Sequence, residues 1–226
     1  VPSDPGSEGH HEHDGGSFEG ELGEKFWDER YRSSDALWSD EANPQLVAEV
    51  TGMAPGAALD VGCGEGADAI WLARQGWRVT AIDISGVALE RAAAAARRAG
   101  TEVADRITWE RCDLGERTPG GPFDLVSAQF MHLPEPERAR LHTALAAAVA
   151  PGGALLIVGH DFSDLATGLR RPLWPGHFPG AAEVGADLAP EEWDVVVAES
   201  RARPAMGPDG EQVTVHDAVL RAERRS

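Results

Sequence analysis

The sequence predicts an α/β fold: a three-layer sandwich of helices around a mostly parallel sheet, closed by an antiparallel pair of strands. Three observations carry this. Between Ala57 and Gly159, strand-length apolar runs alternate with helix-length amphipathic segments, the pattern of consecutive β-α units. A glycine-rich turn, "GCGEG" at 62–66, stands between the first such strand and its helix. Beyond about residue 190 the rhythm gives way to two strand-like runs joined through "GPDG", a turn signal, and so short a link makes the two strands antiparallel neighbours.

In chain order, residues 18–32 read as a helix carrying Phe26, Trp27 and Tyr31, and a second helix runs from Pro44 to Met53. "AALDV" is an apolar strand, "ADAIWLARQ" a helix closed by Gly76, and "WRVTAID" the next strand. "GVALERAAAAARRA" is a helix with Ser85 as its N-cap and Gly100 as its stop. "RITWERCD" and "FDLVSAQ" follow as strands, and a helix from Pro134 to about Val149 puts Leu141, Leu145 and Val149 on one face. "ALLIVG" is apolar without a break, as expected of a strand buried on both sides. Residues 162–192 hold Pro172, Pro175, Pro179 and Pro190 and read as a long variable loop; "EWDVVVAESRAR" and "EQVTVHDAVLRAE" are the closing strands.

Composition bounds the function. The chain has 226 residues, 42% of them hydrophobic, enough for one domain with a full core. We assign 17–226 to that domain, with 17–54 as an N-terminal helical segment, and 1–16 to a mobile tail rich in His, Gly and acid. His10, His11, Glu12, His13 and Asp14 have metal-binding side chains, but a floppy tail lacks the surrounding shell a metal site needs, so no metal is expected. Two cysteines are too few for a disulfide framework, and neither an apolar span nor a signal-peptide pattern is visible, which points to the cytoplasm. A net charge of -18 repels nucleic-acid backbones and anionic membranes. The expected partner is a small molecule, with the chain a monomer or homodimer.

A strand, glycine turn and helix bring backbone N–H groups close to a ligand, because glycine has no Cβ in the way. Gly62, Gly64 and Ala67 match the dinucleotide pattern G-x-G-x-x-G/A, and Asp83 ends the next strand at the expected distance. Three features point away from a pyrophosphate. Glu65 and Asp68 would repel one, Asp60 places a carboxylate before the turn that suits an ammonium, and the ending is antiparallel where a second nucleotide half would be parallel. The ligand wanted is a nucleoside with an amino-acid end.

"LDVGCGEG" and "VTAIDIS" resemble the motifs of class I S-adenosylmethionine-dependent methyltransferases, over roughly residues 25 to 222. "FWDERY", "LW", "NPQLV" and the closing strands look closest to the tellurite-resistance and thiopurine methyltransferase-like branch. The resemblance implies a Rossmann-like seven-stranded sheet and S-adenosylmethionine as cofactor, leaving S-adenosylhomocysteine as product. It places Gly62, Gly64 and Gly66 beneath the methionine part with Asp60 near its amino group, and Asp83 on both ribose hydroxyls. Asp113 contacts the adenine amino group with Leu114 beside it, or caps a turn; Ile84 packs on the adenine; Gln129 and Phe130 lie under the sulfonium. Cys63 is a small buried residue in this motif and not a nucleophile. Trp27, Tyr31 and Trp38 either fold over the cofactor as aromatic cover for its cation or staple their helices to the core.

Methyl transfer needs alignment more than acid–base chemistry, and no catalytic triad is present. An oxygen or nitrogen acceptor would need a base, for which His132, His160 and Asp161 stand at strand ends on the ligand face. A thiol, selenol or reduced tellurium species would need none, and the branch resemblance implies that class. Arg170 and Arg171 would focus positive field over an anionic acceptor or are solvated loop charges, and Trp174 and Phe178 lie in the same substrate-selecting segment. An NAD(P)-dependent oxidoreductase and a cofactor-binding protein without transferase activity are the competing readings.

Overall fold

The computed structural model describes residues 23–117, 120–131, 133, 135–167, 179–206 and 210–226. Seven strands form one sheet in the order β3-β2-β1-β4-β5-β7-β6: β1 Ala57–Val61, β2 Arg78–Asp83, β3 Ile107–Arg111, β4 Phe123–Gln129, β5 Val149–His160, β6 Trp193–Met206 and β7 Gln212–Arg224. The pairs among β1 to β5 are parallel, and β7 runs antiparallel to both β5 and β6. This is the predicted class, including the closing pair.

The helices are α1 Glu24–Arg32, α2 Pro44–Val50, α3 Ala67–Arg74, α4 Gly86–Ala99, α5 Thr101–Ala104, α6 Glu137–Ala148 and α7 Ala181–Ala186. Alternation along the strands gives the sheet two apolar faces. Ala58, Leu125 and Leu156 point to the face covered by Leu46 and Val50 of α2 and by Ile70 and Leu72 of α3. Leu59, Val126 and Leu155 point to the other, covered by Leu141, Leu145 and Ala148 of α6. The predicted start of α4 is borne out: Ser85 Oγ accepts from the Ala88 N–H at 3.2 Å and donates to Asp28 Oδ1 at 2.6 Å, tying α1 to the start of α4.

Several expectations are corrected in detail. α2 stops at Val50, three residues short of Met53, because Gly52 turns the chain at φ +91°. Gly100 ends α4 but opens the single turn α5, too short to show a period. The supposed loop 162–192 contains a 3-10 helix, Phe162–Thr167, and α7, whose six residues "AAEVGA" are hidden among glycines and prolines. The tail 1–16 lies outside the described residues, as do His132, Arg170, Arg171, Trp174 and Phe178. Among the described residues no helix is long and apolar enough to cross a membrane.

Gly66 caps α3 in the left-handed region at φ +87°, and a Cβ there would sit 2.7 Å from Trp109 Cη2 and 2.9 Å from Ala92 Cβ. Gly66→Ala is expected to destabilise by about 2 to 4 kcal/mol, combining left-handed strain with overpacking. That corresponds to a melting temperature lower by roughly 4 to 16 °C for a chain of this size. An unchanged melting curve would show that the packing of α3 against α4 and β3 is looser than these distances require.

Candidate functional site

Strand order reverses between β1 and β4: the chain winds outward from β1 to β3, then returns to lay β4 on the other side of β1. The two connections leave in opposite directions and open a crevice beyond the carboxyl ends of these strands, where such sheets bind ligands. The glycine turn fills the β1 side. Gly62, Gly64 and Gly66 have φ of +67°, +52° and +87°, which only glycine adopts without strain. Cys63 N–H donates to Ile82 O at 3.0 Å, and burial pushes its thiol well above the ordinary range, so it is no nucleophile.

Three carboxylates converge under the turn. Asp60 at the end of β1 is 2% exposed, and its Oδ2 has no hydrogen-bond partner. Burial, then the charges of Asp68 and Asp83, hold its pKa well above the ordinary carboxylate value. Burial also raises Asp68, to about 6, against a hydrogen bond from the Asn43 N–H at 2.7 Å. Asp83 accepts from Gly64 N–H through Oδ2 and from Ser85 N–H through Oδ1, both at 2.9 Å. The Ile84 N–H bonds the same carboxylate, whose two oxygens offer about four lone-pair sites, so room is left for a ligand hydroxyl. An orphaned buried carboxylate oxygen beside a two-pronged acceptor fits a ligand bearing an ammonium and a vicinal diol.

The segment between α1 and α2 straps this turn from outside. Glu65 Oε2 accepts from the N–H groups of Leu37 and Trp38 at 3.0 and 3.2 Å, while Oε1 pairs with Arg91 at 3.0 Å. Tyr31 is 3% exposed and its hydroxyl accepts from Trp38 Nε1 at 2.9 Å. A Cβ on Gly64 would lie 3.0 Å from that hydroxyl and 3.3 Å from Trp38 Cδ1, so both rings rest on the glycine turn. Trp27 lies one step back, tilted against Tyr31 with ring centroids 6.3 Å apart. Glu65 and Asp68, read in the sequence only as repelling phosphate, thus hold the strap in place.

Across the crevice, Gln129 bridges Ser127 Oγ at 2.7 Å and Asn43 Nδ2 at 2.9 Å. Phe130 has φ +54°, strained for a ring-bearing residue, and its ring lies 4.5 Å from that of His160. Asp161 accepts from Ser163 N–H and Oγ at 2.9 and 2.7 Å; burial alone would raise its pKa, but these bonds and one from Ser200 hold it below the ordinary value. It is therefore a weak base. Asp113 is exposed and its Oδ1 accepts from Gly115 N–H at 2.8 Å, which realises the turn-cap alternative and leaves its other oxygen open. Ile84 and Leu114 are half-buried beside Asp83 and Asp113 in the chain.

The structure thus brings Asp60, Asp83, the glycines, Tyr31 and Trp38 together on one side, with Gln129, Phe130, His160 and Asp161 at the neighbouring strand ends; His132 lies outside the described residues. Sequence reasoning missed Met131 and Asn43. Met131 Sδ occupies the space of a Gly62 Cβ, 2.3 Å from where one would stand, and its place directly after Phe130 at a strand end was the available signal. Asn43 was visible as the residue before Pro44, an N-cap position.

Residues 58–153 match a family described as "Methyltransferase domain". The chain is 36% identical over 138 residues to a ubiquinone biosynthesis O-methyltransferase of Paracidovorax citrulli, covering 59% of this chain and 56% of the relative. It is 36% identical over 146 residues to an uncharacterized methyltransferase of Mycobacterium tuberculosis, covering 62% of this chain and 67% of the relative. The chain spans little more than half of the first relative's length. Among solved structures, one described as "Conversion of a Disulfide Bond into a Thioacetal Group during Echinomycin Biosynthesis" superposes with a TM-score of 0.70 at 24% identity, over 89% of this chain and 91% of that one. TehB from Haemophilus influenzae gives 0.64 at 16%, over 90% and 67%. The N-methyltransferase NodS from Bradyrhizobium japonicum, complexed with S-adenosylhomocysteine, gives 0.64 at 21%, over 88% and 97%. Identities this low establish likeness of fold.

Proposed function

This chain belongs to the methyltransferase-domain family, and we propose that it moves a methyl group from S-adenosylmethionine to a small-molecule acceptor. Asp60 carries the reading: a buried carboxyl group with an orphaned oxygen at the end of β1 is poised to ionise against an arriving cation, and the donor's ammonium is one. In this reading Asp83 holds the two ribose hydroxyls, Gly62 to Gly66 face the methionine part, and Ile84, Asp113 and Leu114 surround the adenine. Gln129 and Phe130 lie near the sulfur, and the strap of Trp27, Tyr31 and Trp38 excludes water. The donor supplies an electrophilic methyl on a positively charged sulfur. The chain supplies alignment, which in well-oriented reactions lowers barriers by about 7 to 11 kcal/mol.

For the acceptor we favour a thiol, selenol or reduced tellurium species, which is nucleophilic near neutral pH without a base. The motif resemblance supports this, as does the structural neighbour described by disulfide-to-thioacetal conversion. His160 favours a second reading. In it the imidazole at the end of β5, tilted against the Phe130 ring, would take a proton from an oxygen or nitrogen acceptor, as the O-methyltransferase relative invites. Asp161, held ionised, would then steady positive charge nearby. Residues 17–226 act in this account as one domain whose 162–192 segment selects the acceptor.

Calorimetry with S-adenosylmethionine, S-adenosylhomocysteine and NADH, followed by chromatography of S-adenosylhomocysteine released with thiophenol or catechol, tests both steps. The expected result is micromolar binding of both sulfur nucleosides, none of NADH, and turnover with thiophenol. Failure to bind S-adenosylhomocysteine would end the methyltransferase reading, and turnover with catechol alone would transfer the assignment to the His160 mechanism.

A further inference from the structure

A second crevice runs between α6 and α7 over β5 and β7, and it begins at Met131, the residue whose sulfur sits on Gly62. Its wider part, on the side of Thr143, Leu155 and Leu188, encloses about 350 Å³, the size class of small-ligand sites; the narrow part beside Met131 and Arg138 encloses about 30 Å³, and His142 lines both. Ile157, Val184 and Leu220 make its walls apolar. Two buried polar side chains interrupt that lining. Arg138 is 6% exposed and its Nε has no hydrogen-bond partner; His142, one turn on, is 8% exposed and its Nδ1 has none. Orphaned buried polar atoms are costly, the more so when charged, and a packed core has no use for them.

Resting on the methyltransferase reading above, we propose that this crevice is the acceptor's binding site and that Arg138 and His142 hold a carboxylate carried by the acceptor on an apolar body. The guanidinium edge formed by Nε and Nη2 matches the two oxygens of a carboxylate. At present Nη2 is shared between Glu135, its partner three residues earlier, and Glu183 at 3.7 Å. Both glutamates are well exposed, 49% and 66% at the side chain, so each can turn out to water when a ligand carboxylate takes its place on the buried guanidinium. Asp187 at the mouth is exposed as well, so its repulsion is screened by water. Met131 and His160 line the narrow end of the crevice together with Arg138, and this end adjoins the methyl-transfer site, while the apolar body has its room in the wider part beyond His142.

Benzoate is the probe, with benzamide as its neutral counterpart, added to protein already shown by calorimetry to hold S-adenosylhomocysteine. The readout is the ¹³C-labelled methionine methyl signal of Met131, assigned through Met131→Leu. Benzoate is expected to shift that signal and not Met53, and benzamide to bind at least tenfold more weakly. Arg138→Gln should weaken benzoate by about 10- to 100-fold, the effect of a charge-assisted hydrogen bond. Should Arg138→Gln not fold, Glu135→Gln decides: loss of the exposed competitor should tighten benzoate severalfold. No benzoate-dependent shift in the loaded protein, equal binding of benzamide, or indifference to Glu135→Gln would overturn the proposal while leaving the donor site standing. Loss of S-adenosylhomocysteine binding in the wild-type chain would instead remove the reading on which it rests.

Discussion

Asp83→Ala is expected to weaken binding of S-adenosylhomocysteine by at least tenfold. The Asp83 oxygens accept the backbone N–H groups of Gly64 and Ser85, both at 2.9 Å, and the Ile84 N–H bonds the same carboxylate. The carboxylate is thereby locked at the end of β2 with an acceptor site left for a ribose hydroxyl. Hydrogen bonds to a charged group are worth about 1.5 to 3 kcal/mol, or roughly 10- to 100-fold in affinity for one bond. Alanine removes this acceptor and also orphans the backbone donors of Gly64, Ile84 and Ser85 beneath the turn, so the melting temperature should fall too. A ligand with the same ribose and no amino-acid end, 5′-methylthioadenosine, should lose affinity to a similar degree. Calorimetry well below the variant's melting point separates lost contact from lost fold, and wild-type affinity in Asp83→Ala would sink the assignment.

Much of this site was legible because its parts are local in sequence. "ALDVGCGEG" writes strand, turn and helix within a dozen residues, and the three positive φ values fall on its three glycines. Ser85 announced its helix because an N-cap serine answers to the N–H three residues later, whatever the rest of the fold does. Asp113 was open between turn cap and ligand contact, since either needs only a short acidic side chain after a strand; the structure shows the cap.

The rest depended on pairs far apart in the chain. Glu65 with Leu37 and Trp38, Asp68 with Asn43, and Met131 with Gly62 bridge 25 to 69 residues, and nothing in local periodicity records such a pairing. Arg138 and His142 are an intermediate case. Arg138 stands three residues before Leu141 and His142 three before Leu145, so helical spacing already put them on the buried face of α6, and polar side chains there carry a functional signal. Counting only the apolar members of that face concealed it. α7 escaped because six residues cannot display a period of 3.6.

Asp60→Asn is expected to change stability and binding in opposite directions. In the ligand-free chain the carboxylate is buried, one oxygen is orphaned, and Asp68 and Asp83 add repulsion, so the ionised form is disfavoured. All three acids have folded-state pKa values above the ordinary value of 3.8, which means the folded chain binds more protons than the unfolded one once pH passes about 4. The stability these three groups contribute is therefore fullest below that point and declines as pH rises, through about 6 where Asp68 ionises. The asparagine cannot ionise, so the variant should show a shallower decline and melt about 2 to 6 °C higher at neutral pH, as expected when a poorly compensated buried charge is removed. Binding should suffer by contrast: S-adenosylhomocysteine loses the partner of its ammonium and weakens by about 10- to 100-fold. 5′-Methylthioadenosine, with no ammonium to lose, should bind both proteins alike, which sets this variant apart from Asp83→Ala. In the wild type, affinity for S-adenosylhomocysteine should rise with pH, because an ammonium favours the ionised carboxylate and its arrival expels the proton. Calorimetry in two buffers of different ionisation enthalpy counts that proton directly. An Asp60→Asn chain that is less stable than wild type yet binds S-adenosylhomocysteine equally well would mean that Asp60 is a structural acid, and the ammonium would have to be sought elsewhere.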